Sequence, residues 1–368
     1  MTSEEYRAAA MDIVYLASRA VKGQAPDAER VAAMDLELLY KIANRHLLTG
    51  ITAMALESAG VKDEAFTQAK GKAIRKVAAM EVERALVLQG LEEAGIWYAP
   101  LKGCVLKDLY PKIGMRQMSD NDILYDESRS KDVQKLMEDL GYEAKITPKA
   151  AHDSYFKEPV SNFEMHRALF NANRRDPLQS YYTDVKEKLL PDEDKSYGYH
   201  FSDEDFYVYM TAHEYKHYSG GGTGLRSLLD TWVYLEKKGG TLDWAYMTGE
   251  LKKLGIADYE AKSRSLALHL FGGGELPEEE REMLDYILSS GAYGTEKNSI
   301  NNKIAEKGRV GYLLERTFLP YGTIKNLYPV LEKLPFLLPF CWVLRWIQAL
   351  IVKPKKVLFQ LKSAFRQM

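Results

Sequence analysis

The spacing of apolar residues predicts a helical first part of the chain. They recur at three- and four-residue intervals, the period of a helix with one buried face, at Ile13, Val14, Leu16, Ala17 and Ala20. Residues 65–94 are rich in Ala, Glu, Lys, Arg and Leu, which favour helix, and Gly95 follows them as a natural helix end. We therefore predict a helical region over residues 1–95.

After Gly95 the apolar residues occur in short runs bounded by Gly, Pro and Asp, a pattern typical of strands. An amphipathic stretch at 131–140, ended by Gly141, predicts a helix between them. The predicted strands are residues 96–101, 120–125, 142–146 and 162–169, with a short helix at 104–109. The fold class predicted from this pattern is α+β, with the strands confined to a core of residues 96–175.

Helical periodicity returns after Asp203, over residues 205–218 and 225–237, and continues to about residue 316. Glycine triplets at 220–222 and 272–274 interrupt it. We predict a second helical domain over residues 176–325.

The last segment, residues 326–368, differs from the rest of the chain. Residues 334–352 are strongly apolar but are interrupted by Pro335, Pro339, Arg345 and Gln348. The final 16 residues carry five basic side chains and no acid. Two interpretations stay open: a helix packed on the body with a solvated basic end, or an amphipathic helix at the surface of an anionic membrane.

Composition narrows the class of protein. The 368 residues include 50 Lys and Arg against 52 Asp and Glu, so a long basic groove for nucleic acid is not expected. Two cysteines cannot build a disulfide framework, and the acidic N-terminus, with Glu4 and Glu5, is unlike a secretory signal. We predict a cytoplasmic protein, with membrane association through the tail as the alternative.

The candidate chemistry lies in the α+β core. Asp120 and Asp122 are two apart on a predicted strand, so their carboxylates project from one face. Such a pair repels unless a divalent cation lies between the acids, and oxygen ligands suit Mg²⁺ bridged to substrate phosphates. Glu164, on a later strand, would complete a site for two metal ions.

Three further residues could contact phosphate. Lys102 and Gly103 stand between a predicted strand and a predicted helix, where free backbone N–H groups favour an anion. Arg116 precedes the acid pair, and it either contacts a triphosphate or braces the loop. Cleft-lining roles are also expected for His152 and Tyr155, on the acceptor side.

A competing motif occurs at His213, Glu214 and His217, which fit the H-E-x-x-H pattern of zinc peptidases. No third histidine follows at the required spacing, and Asp230 and Glu236 are weak candidates for a third ligand. Alternatively, the two histidines face a nucleotide or its acceptor, together with Arg226 and Asp230. Arg226 and Asp230 are also spaced for an ion pair along one helix.

Taken in order, these motifs resemble the uncharacterised nucleotidyltransferase family of the DNA polymerase β superfamily. The resemblance extends over residues 36–350 and rests on the order of several short motifs. They are Leu101-Lys102-Gly103, Tyr110, Arg116, Asp120 to Leu124, Glu164-Met165-His166, His213, His217, Gly224-Leu225-Arg226, Asp230 and Tyr328-Pro329.

The resemblance implies a small mixed-sheet core of the polymerase β type, flanked by helical regions, which binds Mg²⁺ and a nucleoside triphosphate such as ATP. Asp120, Asp122 and Glu164 would bind metal, with Glu164 as base, while Lys102 and Gly103 would face the triphosphate. The implied reaction transfers a nucleoside monophosphate to a hydroxyl or phosphate of a small molecule, peptide or protein. A non-catalytic nucleotide-binding module is the remaining alternative.

Two departures from the superfamily pattern bear on the site. Lys102-Gly103 stands where Gly followed by Gly or Ser is usual. Asn121 replaces an apolar residue, and we expect its side chain to point away from the metals.

Overall fold

The computed structural model describes residues 2–147, 150–171, 177–352 and 354–365. The predicted fold class is confirmed: a small mixed sheet has helical regions before and after it. The chain divides into two compact units. The first comprises Met1–Lys216 and Gly224–Ala292, and the second comprises His217–Thr223 and Tyr293–Met368.

Helices precede the sheet in the first unit, as the apolar periodicity predicts. Asp27, Asp35 and Asp63 each accept a hydrogen bond from a backbone N–H three residues on, which satisfies a free donor at a helix start. The helices are α1 (Ser3–Val21), α2 (Ala28–Ala32), α3 (Leu36–Arg45), α4 (Thr49–Ser58) and α5 (Glu64–Glu93).

The central strands are β1 (Tyr98–Pro100), β2 (Asn121–Tyr125), β3 (Glu143–Lys145), β4 (His152–Lys157) and β5 (Ser161–His166). Helix α6 (Gly103–Leu106) follows β1, and α7 (Ser130–Asp139) follows β2. Within the described residues they form one sheet, in the order β1-β2-β5-β4-β3. β2 and β5 are parallel, and the other neighbours are antiparallel.

The sequence pattern does not predict β4. Its first residues, His152, Asp153 and Ser154, are polar, so local hydrophobicity gives no strand signal. The strand forms because both its edges are paired, to β3 on one side and β5 on the other.

The first unit continues with a series of helices after the central sheet. They are α8 (Pro177–Tyr181), α9 (Asp203–Gly220, which ends in the second unit), α10 (Leu225–Lys238), α11 (Trp244–Lys253), α12 (Ala257–Gly272) and α13 (Glu278–Ser290). A two-stranded antiparallel sheet, β6 (Leu189–Pro191) and β7 (Tyr199–Phe201), precedes α9.

Alternate residues of β2 belong to different cores. Ile123 and Tyr125 pack with residues of α5 and α7 on one face of the sheet. Leu124 packs on the other face, with residues of α9, α10 and α11. Since Asp122 lies two residues before Leu124, its carboxylate shares the α9 face. The expectation that Tyr155 lines an acceptor site is wrong, because it is buried in the α5 core.

The second unit includes α14 (Glu296–Thr317), α15 (Tyr321–Leu327), α16 (Leu338–Val352) and α17 (Pro354–Phe365). Within the described residues, one segment, Pro335–Val352, is long and apolar enough to cross a membrane, with a mean hydropathy of 1.6. Only 6% of this segment is buried, so it is not a core helix.

The four predicted sequence regions stay predictions. The boundary between residues 175 and 176 lies outside the described residues, as do Lys353 and Arg366 of the basic tail.

Candidate active site

The three acids that the sequence singles out meet where β2 and β5 lie side by side. The parallel register sets Asp122 opposite Glu164 and Leu124 opposite His166. Paired residues project from the same face of a sheet, so the two acids are neighbours on the α9 side. Asp120 directly precedes β2, and the charges of Asp122 and Glu164 act on it.

Lys102 is the main counter-ion of these acids. The backbone N–H of Leu101 donates to the carbonyl oxygen of Asp122 at 2.9 Å, which holds the end of β1 beside β2. Lys102 follows with a φ of +47°, a strained conformation for a residue with a side chain. Its Nζ lies 2.6 Å from Oδ1 of Asp122 and 3.9 Å from Oε2 of Glu164.

Two histidines complete the cluster from β4 and β5. Nε2 of His166 lies 2.9 Å from Oδ1 of Asp122 and 3.4 Å from Oε2 of Glu164. Nε2 of His152 lies 3.5 Å from Oε1 of Glu164. The ligand atoms of His152, Glu164 and His166 all lie within 4.8 Å of one another, which is close enough to hold one metal ion.

The pKa values of the three acids show that the nearby positive charge stabilises their carboxylates unequally. Burial alone would raise the pKa of Asp122, but Lys102 and His166 outweigh it and hold that pKa well below its ordinary value. Glu164 is shifted in the same direction, because the hydrogen bond from His166 and the charge of Lys102 oppose the effect of burial. For Asp120, burial and the charges of Asp122 and Glu164 raise the pKa to about 6. One carboxylate of the three therefore lacks a sufficient positive partner.

Asp120→Asn is expected to stabilise the metal-free protein near pH 8 by about 3 kcal/mol. The pKa of Asp120 rises from 3.8 to about 6 on folding, so the folded state holds this proton more tightly than the unfolded chain. Stability due to this group therefore falls as the pH rises from about 4 to about 6, and it stays lower above that range. Asn carries no charge, so the variant avoids the loss.

Urea unfolding with EDTA, at about pH 4 and about pH 8, measures this difference. The advantage of the Asn variant should disappear at the lower pH, where Asp120 is protonated in both states. Asp139→Asn, on the exposed surface of α7, is the matched control and should change little at either pH. Equal stability of wild type and Asp120→Asn at about pH 8 would contradict the charge crowding.

A family of known sequences matches the part of the chain that contains the whole acid cluster. The sequence model of a family described as "Uncharacterised nucleotidyltransferase" matches residues 32–272, which is more than half of the chain. The chain belongs to this family. The resemblance seen in the motifs is thereby confirmed, although the match ends before the tail segment around Tyr328-Pro329.

Other similarities of this nucleotidyltransferase-family chain are distant. The crystal structure of an antigenic nucleotidyltransferase-like protein from Paracoccidioides brasiliensis aligns with a TM-score of 0.35 and 13% identity. The alignment covers 55% of this chain and 97% of that one. No curated protein matches the chain significantly.

Asn121, the departure between the two acids, points away from the carboxylates as expected. Its Nδ2 donates to the carbonyl oxygen of Met80 at 3.2 Å, and its Oδ1 accepts from Nη1 of Arg84 at 3.3 Å. Both partners lie on α5, on the opposite side of the sheet from the acids. An amide at this position therefore ties β2 to α5.

The structure explains why glycine occupies position 103 and what the side chain of Arg116 binds, neither of which the sequence reveals. A Cβ at Gly103 would lie 2.6 Å from Nη1 of Arg116, so only glycine leaves room for this guanidinium. Arg116 is buried, and its Nε and Nη2 donate to the two carboxylate oxygens of Asp230 at 2.8 and 2.9 Å. Tyr110 donates to the same carboxylate at 2.7 Å. This geometry favours the bracing interpretation of Arg116 over contact with a triphosphate.

The carboxylate of Asp230 therefore pairs with Arg116, although Arg226 lies one helical turn away on the same helix. Nη1 of Arg226 donates to the carbonyl oxygen of Gln117 at 3.2 Å. The charge of Arg226 also lowers the pKa of Asp120, against the larger effects that raise it. Arg226 thus borders the acid cluster, whereas Arg116 anchors the loop that leads to it.

The H-E-x-x-H residues lie on α9, with His213 half-buried and His217 exposed. Glu214 is buried, its Oε2 accepts a 3.5 Å hydrogen bond from Thr231 on α10, and burial raises its pKa to about 7. A peptidase needs this glutamate to reach a zinc-bound water, so its position counts against that function. Among the described residues, the cluster with metal-ligand spacing is the one around Glu164.

Tyr209 is a site residue that the sequence patterns do not single out. It lies on α9, is fully buried, and its hydroxyl has no hydrogen-bond partner among the described residues. Burial raises its pKa, and the charges of Lys102, Asp122 and Glu164 also act on it, so the phenol is close to the acid cluster. Its spacing of four residues from His213 places both on one helix face, which is the one sequence signal for it.

Proposed function

We propose that this chain is a divalent-metal-dependent nucleotidyltransferase, which transfers a nucleoside monophosphate from a nucleoside triphosphate to a hydroxyl or phosphate acceptor. The observation that supports it best is the cluster of Asp120, Asp122 and Glu164 on one sheet face. Family membership supports the reaction class, and the near-neutral chain supports a small nucleotide rather than a long nucleic acid as substrate.

The residues fit a divalent cation. Asp120 remains crowded by like charge even with Lys102 present, and a cation at these oxygens would relieve that crowding. Carboxylate oxygens suit Mg²⁺, the ion that the resemblance implies. The imidazoles of His152 and His166 beside Glu164 also suit Mn²⁺ or Zn²⁺. When bound, two such ions would stabilise charge on the attacking and leaving oxygens.

Side chains of the protein would provide the proton transfer and the phosphate binding. An acceptor oxygen would attack the α-phosphorus, the bond from that phosphorus to the β-phosphate oxygen would break, and pyrophosphate would leave. Glu164 would take the proton of an acceptor hydroxyl, because its lowered pKa keeps it ionised and it is half-exposed. Arg226 and Lys102 would bind phosphate oxygens, with Gly103 at the same turn and His213 and His217 towards the nucleotide or acceptor.

The test is transfer of label from each α-labelled nucleoside triphosphate, with Mg²⁺ or Mn²⁺, to peptides, sugars and the protein itself. Label transfer with equimolar pyrophosphate release is the expected result. Nucleotide binding with no transfer in any combination would favour the non-catalytic module. Peptide cleavage that requires zinc and is lost in Glu214→Gln would overturn the proposal.

Zinc content alone does not separate the two enzyme classes, because the His152–Glu164–His166 cluster also has ligands that suit zinc. Zinc lost in His166→Ala but kept in His213→Ala would place the ion beside the acid pair, as the proposal expects. The reverse pattern would support the peptidase.

Lys102→Met is expected to destabilise the metal-free protein by on the order of 3 kcal/mol, because it leaves the buried Asp122 without its closest cation. Saturating Mg²⁺ or Mn²⁺ should recover part of this loss, since a bound cation supplies the missing charge. Urea unfolding with EDTA and with each metal measures both effects. Lys135→Met, on the exposed face of α7, is the control. A loss that metal leaves unchanged would mean that Lys102 and the ion do not share these oxygens.

A further inference from the structure

The exposed side of α16 is a large apolar surface with no cover among the described residues. We define the apolar face as Phe340, Val343, Leu344, Ile347 and Ile351, which recur at helical spacing. Phe340 is 67% exposed and Ile351 is 74% exposed. Soluble monomers rarely expose such a contiguous patch without an interaction that covers it.

The other side of α16 is tied to its own unit. Nε1 of Trp342 donates to the carbonyl oxygen of Leu319 at 3.0 Å, and Nε1 of Trp346 donates to that of Thr317 at 3.1 Å. Nη1 of Arg345 donates to the carbonyl oxygen of Arg316 at 3.1 Å. These bonds fix the rotation of the helix, so the apolar face is turned outward by the fold.

The sequence around and after this face is basic. No acid follows Glu332 in the sequence, whereas seven basic residues do: Lys333, Arg345, Lys353, Lys355, Lys356, Lys362 and Arg366. Arg316 and Arg345 also line a small cleft of about 90 Å³ beside Trp346 and Leu350, and no acid is among its lining residues. A second copy of this chain would bring like charges together, whereas anionic lipid headgroups would neutralise them.

Composition rather than length distinguishes lying on a bilayer from crossing it. Helix α16 spans about 22 Å, and only together with the turn Pro335–Leu337 does the apolar segment reach 18 residues, near the lower limit for crossing a hydrocarbon core of roughly 30 Å. Arg345 and Gln348 lie in the middle of α16, where spanning would bury them in hydrocarbon. From these observations we propose that the apolar face docks on the surface of an anionic bilayer, with the helix parallel to the membrane plane.

Vesicle co-sedimentation of the full chain tests this proposal. Binding is expected to phosphatidylcholine vesicles that contain about one quarter phosphatidylglycerol, and to weaken strongly in high salt or without the anionic lipid. Ile351→Glu should weaken binding about tenfold or more, because it removes apolar area and adds a repelled charge. Val82→Glu, at an exposed position of α5, makes the same kind of change elsewhere and should bind like wild type.

A second measurement uses the unmodified protein. Quenching of tryptophan fluorescence by brominated lipids should be strongest for bromines near the headgroups, since Trp342 and Trp346 lie on the docking helix. Equal binding to pure phosphatidylcholine would overturn the charge argument. Protein that resists alkaline extraction would overturn the surface position in favour of insertion. A lipid-independent dimer that Ile351→Glu dissociates would overturn the lipid as occupant.

Discussion

Asp122→Asn is expected to lower nucleotidyl transfer about a thousandfold, while the protein stays folded. Asp122 is at the centre of the acid cluster, since Lys102, His166 and Glu164 all lie around its carboxylate. Asn keeps the shape of the side chain but removes the charge that would hold a cation. The measurement is the rate of labelled nucleotide transfer at saturating Mg²⁺ or Mn²⁺, beside far-ultraviolet circular dichroism to confirm the fold.

Asp139→Asn again provides the matched control, because it removes one exposed carboxylate from the same domain. It should transfer nucleotide at the wild-type rate. If Asp122→Asn kept more than about a tenth of wild-type activity, the proposed role of this acid would be wrong. Mn²⁺ affinity, measured by electron paramagnetic resonance, should fall in Asp122→Asn and not in the control.

Asp230→Asn is expected to destabilise the protein by about 3–5 kcal/mol, because it leaves the buried Arg116 guanidinium without its counter-ion. Asp230 also accepts the hydrogen bond of Tyr110, so two buried donors lose a charged acceptor. Urea unfolding measures the change. Asp258→Asn, on the exposed surface of α12, is the control and should change stability little.

A double-mutant cycle separates bracing from phosphate binding. Arg116→Met with Asp230→Leu should lose much less stability than the sum of the two single changes, because the pair is removed together. If Arg116 instead contacted the triphosphate, Arg116→Met would raise the KM for nucleotide and leave stability nearly unchanged. The buried two-bond geometry of Arg116 with Asp230 predicts the first outcome.

Local sequence patterns are sufficient to predict much of the fold. Helix α5 is predicted from its helix-forming composition, and β1 and β2 from their short apolar runs. Both signals are local, because they depend only on neighbouring residues in the sequence. The sequence does not predict β4, because its strand state depends on pairing with β3 and β5 rather than on its own polar residues. It does predict the orientation of Asn121, because strand alternation places this side chain on the opposite face from the acids.

The sequence predicts the candidate site only in part. Strand alternation predicts that Asp120 and Asp122 share a face, but not that β5 lies beside β2 in a register that sets Glu164 against Asp122. Tyr209 gives no motif signal, since one tyrosine in an apolar helix is usually a core residue. The H-E-x-x-H pattern gives no sign that Glu214 is buried, because that burial depends on packing against α10.

The sequence by itself determined the helical regions, the strands β1, β2, β3 and β5, the acid pair, the family, and the charge contrast between the core and the basic tail. These depend on the identity and spacing of neighbouring residues. Tertiary structure decided the counter-ions: Lys102 is 20 residues from Asp122, and Arg116 is 114 residues from Asp230. It also decided that the apolar face of α16 points outward. The physical reason is that pairing and exposure depend on which distant surfaces meet, which no local periodicity specifies.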